Sequence, residues 1–158
     1  MIMSNNKLRS LSCLLLIIYF FLIPREQIFG QEKVFVSTGL GLPELLNVGI
    51  KYQISEQSKI GLSAGWWPSY SGTNISFSGD YYYHFGGSSE FSELRPWYGR
   101  VGLNWIPNWW VDSYLRIGRD IYVSRSLGIS LDAGLMYNFS KNSLPVIITY
   151  GGCLFYRF

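Results

Sequence analysis

Apolar residues alternate one by one with small or polar residues along most of the chain. In Ser126 to Phe139, "SLGISLDAGLMYNF", every odd position is apolar, and the even positions hold mainly glycine, serine, aspartate or asparagine. Successive side chains of a β-strand point to opposite faces. The pattern therefore predicts a strand with one apolar face and one small or polar face.

The same alternation recurs about eight times, and together the segments predict an antiparallel meander. The predicted strands are 34–42, 45–54, 59–67, 73–85, 97–106, 114–123, 126–139 and 146–158. Short turn-forming stretches such as "SEQS", "PSYSG", "PNWWVD" and "SKNS" separate them. After residue 31 the alternation has a period of two, as in strands, rather than the helical period of 3.6. We therefore expect one all-β domain, residues 31–158, folded as a single antiparallel up-and-down eight-stranded barrel.

The volume of the apolar face indicates which face points outward. That face carries Trp66, Trp97, Trp105 and many more aromatic and aliphatic side chains. An eight-stranded barrel has an interior just wide enough for side chains to fill, so it cannot hold this bulk. We predict a transmembrane barrel, with the apolar face toward lipid and the small and polar face toward the lumen.

Most charged residues of the strands fall on the predicted inner face. They are Lys51, Asp80, Arg100, Arg116, Asp120, Asp132 and Arg157. An isolated buried charge is very unfavourable, so we expect these groups to pair into a network that plugs the lumen. Such a network argues against a wide conducting pore.

Arg119 does not fit this arrangement, because parity places it on the outer face. An arginine near the middle of the membrane costs about 2–4 kcal/mol. A bulge at Gly118 would turn Arg119 inward, but it would also turn Asp120 outward. The orientation of Arg119 stays open at this point.

The first 30 residues have the features of a cleavable signal peptide. Lys7 and Arg9 precede the apolar stretch 11–23, and Gly30 offers a small residue for cleavage. The apolar stretch is shorter than the roughly 20 residues that a membrane-spanning helix needs. Cleavage would leave Cys153 as the only cysteine, so we expect no intramolecular disulfide.

Composition and motifs offer little support for an enzyme. The net charge of +3 is too small and scattered for a nucleic-acid groove. The sole histidine, His84, faces the predicted lumen near one rim, and no recognisable motif joins it to Ser88, Ser89 or Glu90. Nucleotide loops, metal-ligand spacings and catalytic triads are not recognisable in the sequence. We expect no enzymatic activity and no cofactor or metal.

The chain resembles the small single-chain outer-membrane β-barrels of Gram-negative bacteria, most closely the compact, uncharacterised barrels of Bacteroidetes type. The resemblance is most specific in the last strand, where Tyr150, Leu154, Tyr156 and Phe158 match an aromatic-terminated assembly signal. It implies an outer-membrane location, contact with outer-membrane lipid, and insertion by the barrel-assembly machinery. It also implies that both termini lie on the periplasmic side.

On this orientation the longest connection, residues 84–96, is periplasmic, and its Glu90, Phe91 and Glu93 are candidates for contact with a periplasmic or envelope protein. The outer connections are short, although members of the class usually have long ones, which disfavours a receptor or adhesin. We expect a non-enzymatic barrel with a structural or partner-binding role. The alternatives are a small-solute channel, a lipid-modifying enzyme and a secreted soluble ligand-binding barrel.

Overall fold

The computed structural model of the chain describes residues 33–42, 44–69, 72–107, 110–139 and 146–158. The predicted signal peptide, residues 1–30, lies outside the described residues. Among the residues described, there is no helix with the length and apolar character needed to cross a membrane.

Eight strands form one closed antiparallel sheet. They are β1 (Val34–Gly41), β2 (Leu46–Gln53), β3 (Ser58–Ser69), β4 (Gly72–Gly86), β5 (Trp97–Ile106), β6 (Trp110–Tyr122), β7 (Leu127–Asn138) and β8 (Val146–Arg157). Each strand pairs with the next in sequence, and β8 pairs with β1. The predicted all-β, up-and-down eight-stranded barrel is confirmed. We call the end that carries the start of β1 and the end of β8 the terminal end, and the opposite end the far end.

The two faces of the sheet have opposite character, as the alternation predicts. Trp105, Leu131 and Ile148 on the outer face are 54%, 52% and 72% exposed. On the inner face, Asn104 and Thr149 are fully buried. A soluble monomer rarely exposes an apolar patch larger than a few hundred Å², whereas here most outward-facing side chains around the barrel are large and apolar. The outer wall therefore has the character of a surface that contacts lipid.

β6 begins four residues earlier than the sequence pattern predicts, at Trp110 rather than at 114. The prediction missed this because Ser113 points outward and Tyr114 inward, which reverses the usual chemistry of the two faces at that point. As a result Asp112, expected in a connection, lies on the inner face and is fully buried. Its Oδ2 accepts a hydrogen bond from Asn104 Nδ2 at 3.5 Å.

Arg119 lies on the outer face. The pairing of β6 with both neighbours is continuous through Gly118, so the bulge considered there is not formed. Arg119 is paired with Trp97 on β5 and with Leu131 on β7. It lies three residues before the end of β6, close to the terminal rim of the barrel rather than to its middle.

Candidate functional site

An ion-pair network of four residues on β4 to β7 crosses the lumen. Arg100 donates from Nε and Nη2 to the two carboxylate oxygens of Asp80, at 2.8 and 2.9 Å. Its Nη1 donates to Asp132 Oδ2 at 3.1 Å, and Arg116 Nη1 donates to Asp132 Oδ1 at 2.9 Å. Two cations thus alternate with two anions, so each of these buried charges has an opposite charge in contact, the arrangement that makes burial tolerable.

Tyrosines pack around this network. Tyr114 Oη donates to Asp80 at 2.6 Å, and Tyr98 Oη donates to Asp132 at 3.3 Å. Glycines opposite them provide the space, since a methyl group at Gly102 would lie 2.6 Å from the Tyr114 ring. The inner face is therefore not uniformly small, because large rings and glycines interlock across it.

A second ion pair lies nearer the terminal end. Lys59 Nζ on β3 donates to Asp120 Oδ2 on β6 at 3.0 Å, and both side chains are almost fully buried. Ser130 Oγ also donates to the Asp120 carboxylate. Lys59 was not among the predicted network residues, although its inward parity could have revealed it.

Two of the predicted network residues have other partners. Lys51 Nζ donates to Cys153 Sγ at 3.5 Å and lies 5.0 Å from the centre of the Tyr82 ring. Arg157 lies at the terminal rim, where its Nη1 donates to Ser92 Oγ at 3.3 Å. Lys51 thus contacts β8, and Arg157 contacts the 87–96 connection.

The β1–β2 connection closes the far end. Glu44, outside the strands, turns into the lumen and is 4% exposed. Its carboxylate accepts hydrogen bonds from Ser78 at 2.5 Å, Ser63 at 3.3 Å and Ser76 at 3.4 Å. Burial raises the pKa of the Glu44 carboxyl above its ordinary value because desolvation disfavours the charged form, while the serine hydrogen bonds act in the opposite direction. No local pattern indicates this role, since "PE" has the composition of an ordinary turn.

The backbone of the same connection is also held in place. The carbonyl oxygen of Leu42 accepts hydrogen bonds from Arg116 Nη2 and from Thr149 Oγ1, the latter at 2.6 Å. The far-end connection is thereby attached to the central network and to β8. We call residues 42 and 44 together the far-end plug.

The 87–96 connection closes the terminal end. Leu94 is almost fully buried and packs with Phe35 and Phe155 on the inner face, against Tyr122. The backbone is fixed by a hydrogen bond from Asp120 N to the Pro96 carbonyl at 2.8 Å. We call residues 94–96 the terminal-end plug.

His84, on β4, contacts the terminal-end plug. It is fully buried, and its Nδ1 lies 2.6 Å from the Arg95 carbonyl oxygen. Because a carbonyl can only accept, Nδ1 carries the proton. Ser89, considered beside it in the sequence, has a hydroxyl that accepts from the backbone N–H of Phe91 instead.

The other predicted sites lie on the surface. Glu90, Phe91 and Glu93 are all exposed in the connection beyond the terminal-end plug. In the last strand, Tyr150 and Leu154 are exposed on the outer wall. Tyr156 and Phe158 are half-buried, with ring centroids 4.8 Å apart.

A small cavity lies beside the central network, next to the far-end plug. The cavity beside the central network has about 30 Å³ available to the centres of water molecules, room for about two waters. Its lining includes Glu44, Lys51, Asp80, Arg100 and Arg116. Within the described ranges, no group of three or more His, Cys, Asp or Glu could hold a metal ion.

Comparison with known proteins places the fold but not a family. No family model matches the chain, and no curated protein matches it. A solved structure of the de novo designed protein TMB2.3 is similar over 83% of this chain and 98% of that one, with a TM-score of 0.57 and 16% identity. The N-terminal β-barrel domain of Pseudomonas aeruginosa OprF is similar over 82% of this chain and 99% of that domain, with a TM-score of 0.57 and 15% identity. These similarities show the fold, a closed eight-stranded β-barrel.

Proposed function

We propose that this chain is an integral protein of a bacterial outer membrane, a closed and non-enzymatic barrel with a structural or partner-binding role. The observation that carries the proposal is the apolar outer wall that surrounds the closed sheet. Strands of 8 to 15 residues include the length of about 9–11 that a tilted strand needs to cross the hydrocarbon core. Export by the signal peptide at residues 1–30 and recognition of β8 by the barrel-assembly machinery are part of this proposal.

The closed lumen favours a structural role over a channel. Glu44 of the far-end plug and Leu94 of the terminal-end plug are buried, and buried ion pairs lie across the lumen between them. An ion entering this interior would have to displace charges that are already paired. We therefore expect no steady conductance through the native barrel.

The environment of His84 favours a non-enzymatic role. A general base must reach the proton that it abstracts, but this imidazole is fully buried and bonded to the Arg95 carbonyl. A substrate could not reach it from lipid or from water without removal of the terminal-end plug.

A partner contact is best placed in the exposed part of the 87–96 connection. Phe91 is 41% exposed between two exposed carboxylates, Glu90 and Glu93. The segment is anchored on one side by the buried Leu94. An exposed aromatic side chain flanked by acids suits an envelope protein with an apolar pocket bordered by basic residues.

The membrane assignment is tested by folding the chain without residues 1–30 into phosphatidylcholine vesicles. A membrane barrel should float with the vesicles, resist added protease and migrate faster on gels when unheated than when boiled. Recovery of a folded, soluble monomer without detergent or lipid would refute the proposal. Steady, large conductance in planar bilayers would refute the closed lumen and favour the channel.

The partner contact is tested in native membranes by placing a photo-crosslinking amino acid at position 91. Glu56, exposed in the β2–β3 turn at the same end, is the matched control position. A discrete crosslinked protein from position 91 and not from position 56 supports the contact. Equal labelling from both positions would argue against it.

A further inference from the structure

Arg119 is the only charged side chain on the outer wall among the described strand residues. Its neighbours along the outer face of β6 are Ile117 and Ile121, both exposed. Across the sheet it is paired with Trp97 and Leu131. A guanidinium group thus lies in an otherwise apolar wall.

The guanidinium contacts an aromatic ring and leaves its donors available. Arg119 Cζ lies 5.5 Å from the centroid of the Trp97 ring, within the range of a cation–π contact. Among the described residues it has no hydrogen bond or ion pair. Guanidinium N–H groups match the geometry of phosphate oxygens and bind them in a bidentate manner.

The height of Arg119 on the wall fits a lipid headgroup. It lies three residues from the end of β6, which is about 10 Å along the strand at 3.3 Å per residue. A long arginine side chain extends toward the boundary from such a depth, and tryptophan is also favoured at that boundary. Arg95, exposed two residues before Trp97 in sequence, adds a second cation at the same rim.

We infer that Arg119 and Trp97 form a binding site for the phosphate of an anionic phospholipid in the leaflet at the terminal end. The lipid phosphate accepts from the guanidinium, while its acyl chains lie along the apolar wall beside Leu131. Glu90 and Glu93 are exposed in the 87–96 connection, outside the strands, whereas Arg119 is exposed on the outer face of β6. This inference rests on the proposed membrane location.

For the test, the barrel is folded into vesicles of equimolar phosphatidylcholine and phosphatidylglycerol and then purified in detergent. The phosphatidylglycerol that it retains is measured by native mass spectrometry. We expect the wild type to retain phosphatidylglycerol preferentially and R119Q to lower its retained fraction about five-fold, the effect of one basic residue at an anionic surface. R119K should lower it less. R125Q, the matched control, removes the same charge from the exposed β6–β7 turn and should change retention less than two-fold.

The possible outcomes separate this inference from the membrane assignment. Equal retention by wild type and R119Q, with both barrels folded, would overturn the lipid site alone. Failure of the wild type to enter vesicles of pure phosphatidylcholine would refute the membrane location instead. A third outcome is that inorganic phosphate releases phosphatidylglycerol and binds in the same amount to the wild type but not to R119Q. This outcome would assign the site to a free anion and overturn the lipid source.

Discussion

Asp132 holds two arginines, so its neutralisation tests the central network directly. Asp132→Asn keeps the size of the side chain but removes the charge that faces Arg100 Nη1 at 3.1 Å and Arg116 Nη1 at 2.9 Å. Arg100 retains its two hydrogen bonds to Asp80. Arg116 loses its ion pair with Asp132 while its side chain stays 3% exposed.

The expected loss of stability is large because the remaining cation stays desolvated. Removing one partner of a buried pair costs about 3–5 kcal/mol. With a urea slope of about 2 kcal/mol per molar, the midpoint of unfolding should fall by about 2 M. The assay is urea unfolding of the barrel folded in vesicles, followed by tryptophan fluorescence and by the gel shift between heated and unheated samples.

Glu56→Gln is the control for the general effect of losing a carboxylate. Glu56 is exposed in the β2–β3 turn, and a surface change of this kind stays within about 0.5 kcal/mol. If Asp132→Asn unfolds at the same urea concentration as this control, the network does not stabilise the barrel.

Three further predictions concern the plugs and the packing of the sheet. Because the pKa of Glu44 is raised, the native state binds its proton more tightly than the unfolded state, and the stability from that proton is lost as pH rises from about 4.5 through the folded pKa. Wild type should therefore gain stability relative to E44Q when the pH is lowered from 7 to 5. Urea midpoints that change equally with pH in the two proteins would contradict this. G134A should destabilise the barrel by about 1–3 kcal/mol, because the added methyl group would lie 2.6 Å from the Cα atom of Arg116 on β6. G99A is the control: its methyl group would meet no atom within 4 Å, so it should be neutral in the same assay. L94A should lower the free energy of unfolding by about 2–5 kcal/mol through the cavity that it leaves in the terminal-end plug. F91A, at an exposed position, should leave the urea midpoint unchanged. Equal effects of these two variants would show that the plug does not pack as described.

The architecture could be predicted because the alternation has a period of two and the chemistry of each face is nearly uniform. Asp80, Arg100, Arg116 and Asp132 were placed on the inner face by parity alone. Their mutual pairing followed from the need to neutralise buried charge, without knowledge of the register.

Features that depend on the path of a connection could not be predicted in this way. Glu44 precedes an ordinary strand, and nothing local indicates that its side chain turns into the lumen. Leu94 likewise follows a polar stretch that resembles a solvent-exposed connection. For Arg119, the alternation correctly predicts an outward-pointing side chain. Its position three residues before the end of β6 places it near the rim, where an outward arginine costs less than at the middle of a membrane.

Lys59 and Asp120 also determine how the barrel can respond to its surroundings. They lie on β3 and β6, three strands apart around a ring of eight, and meet at 3.0 Å. Flattening or widening the cross-section at that height would separate two opposite charges that water does not reach. In the proposed membrane location, we therefore expect the barrel to be stiff, so that a change in bilayer thickness or lateral pressure deforms the lipid around it before it deforms the protein.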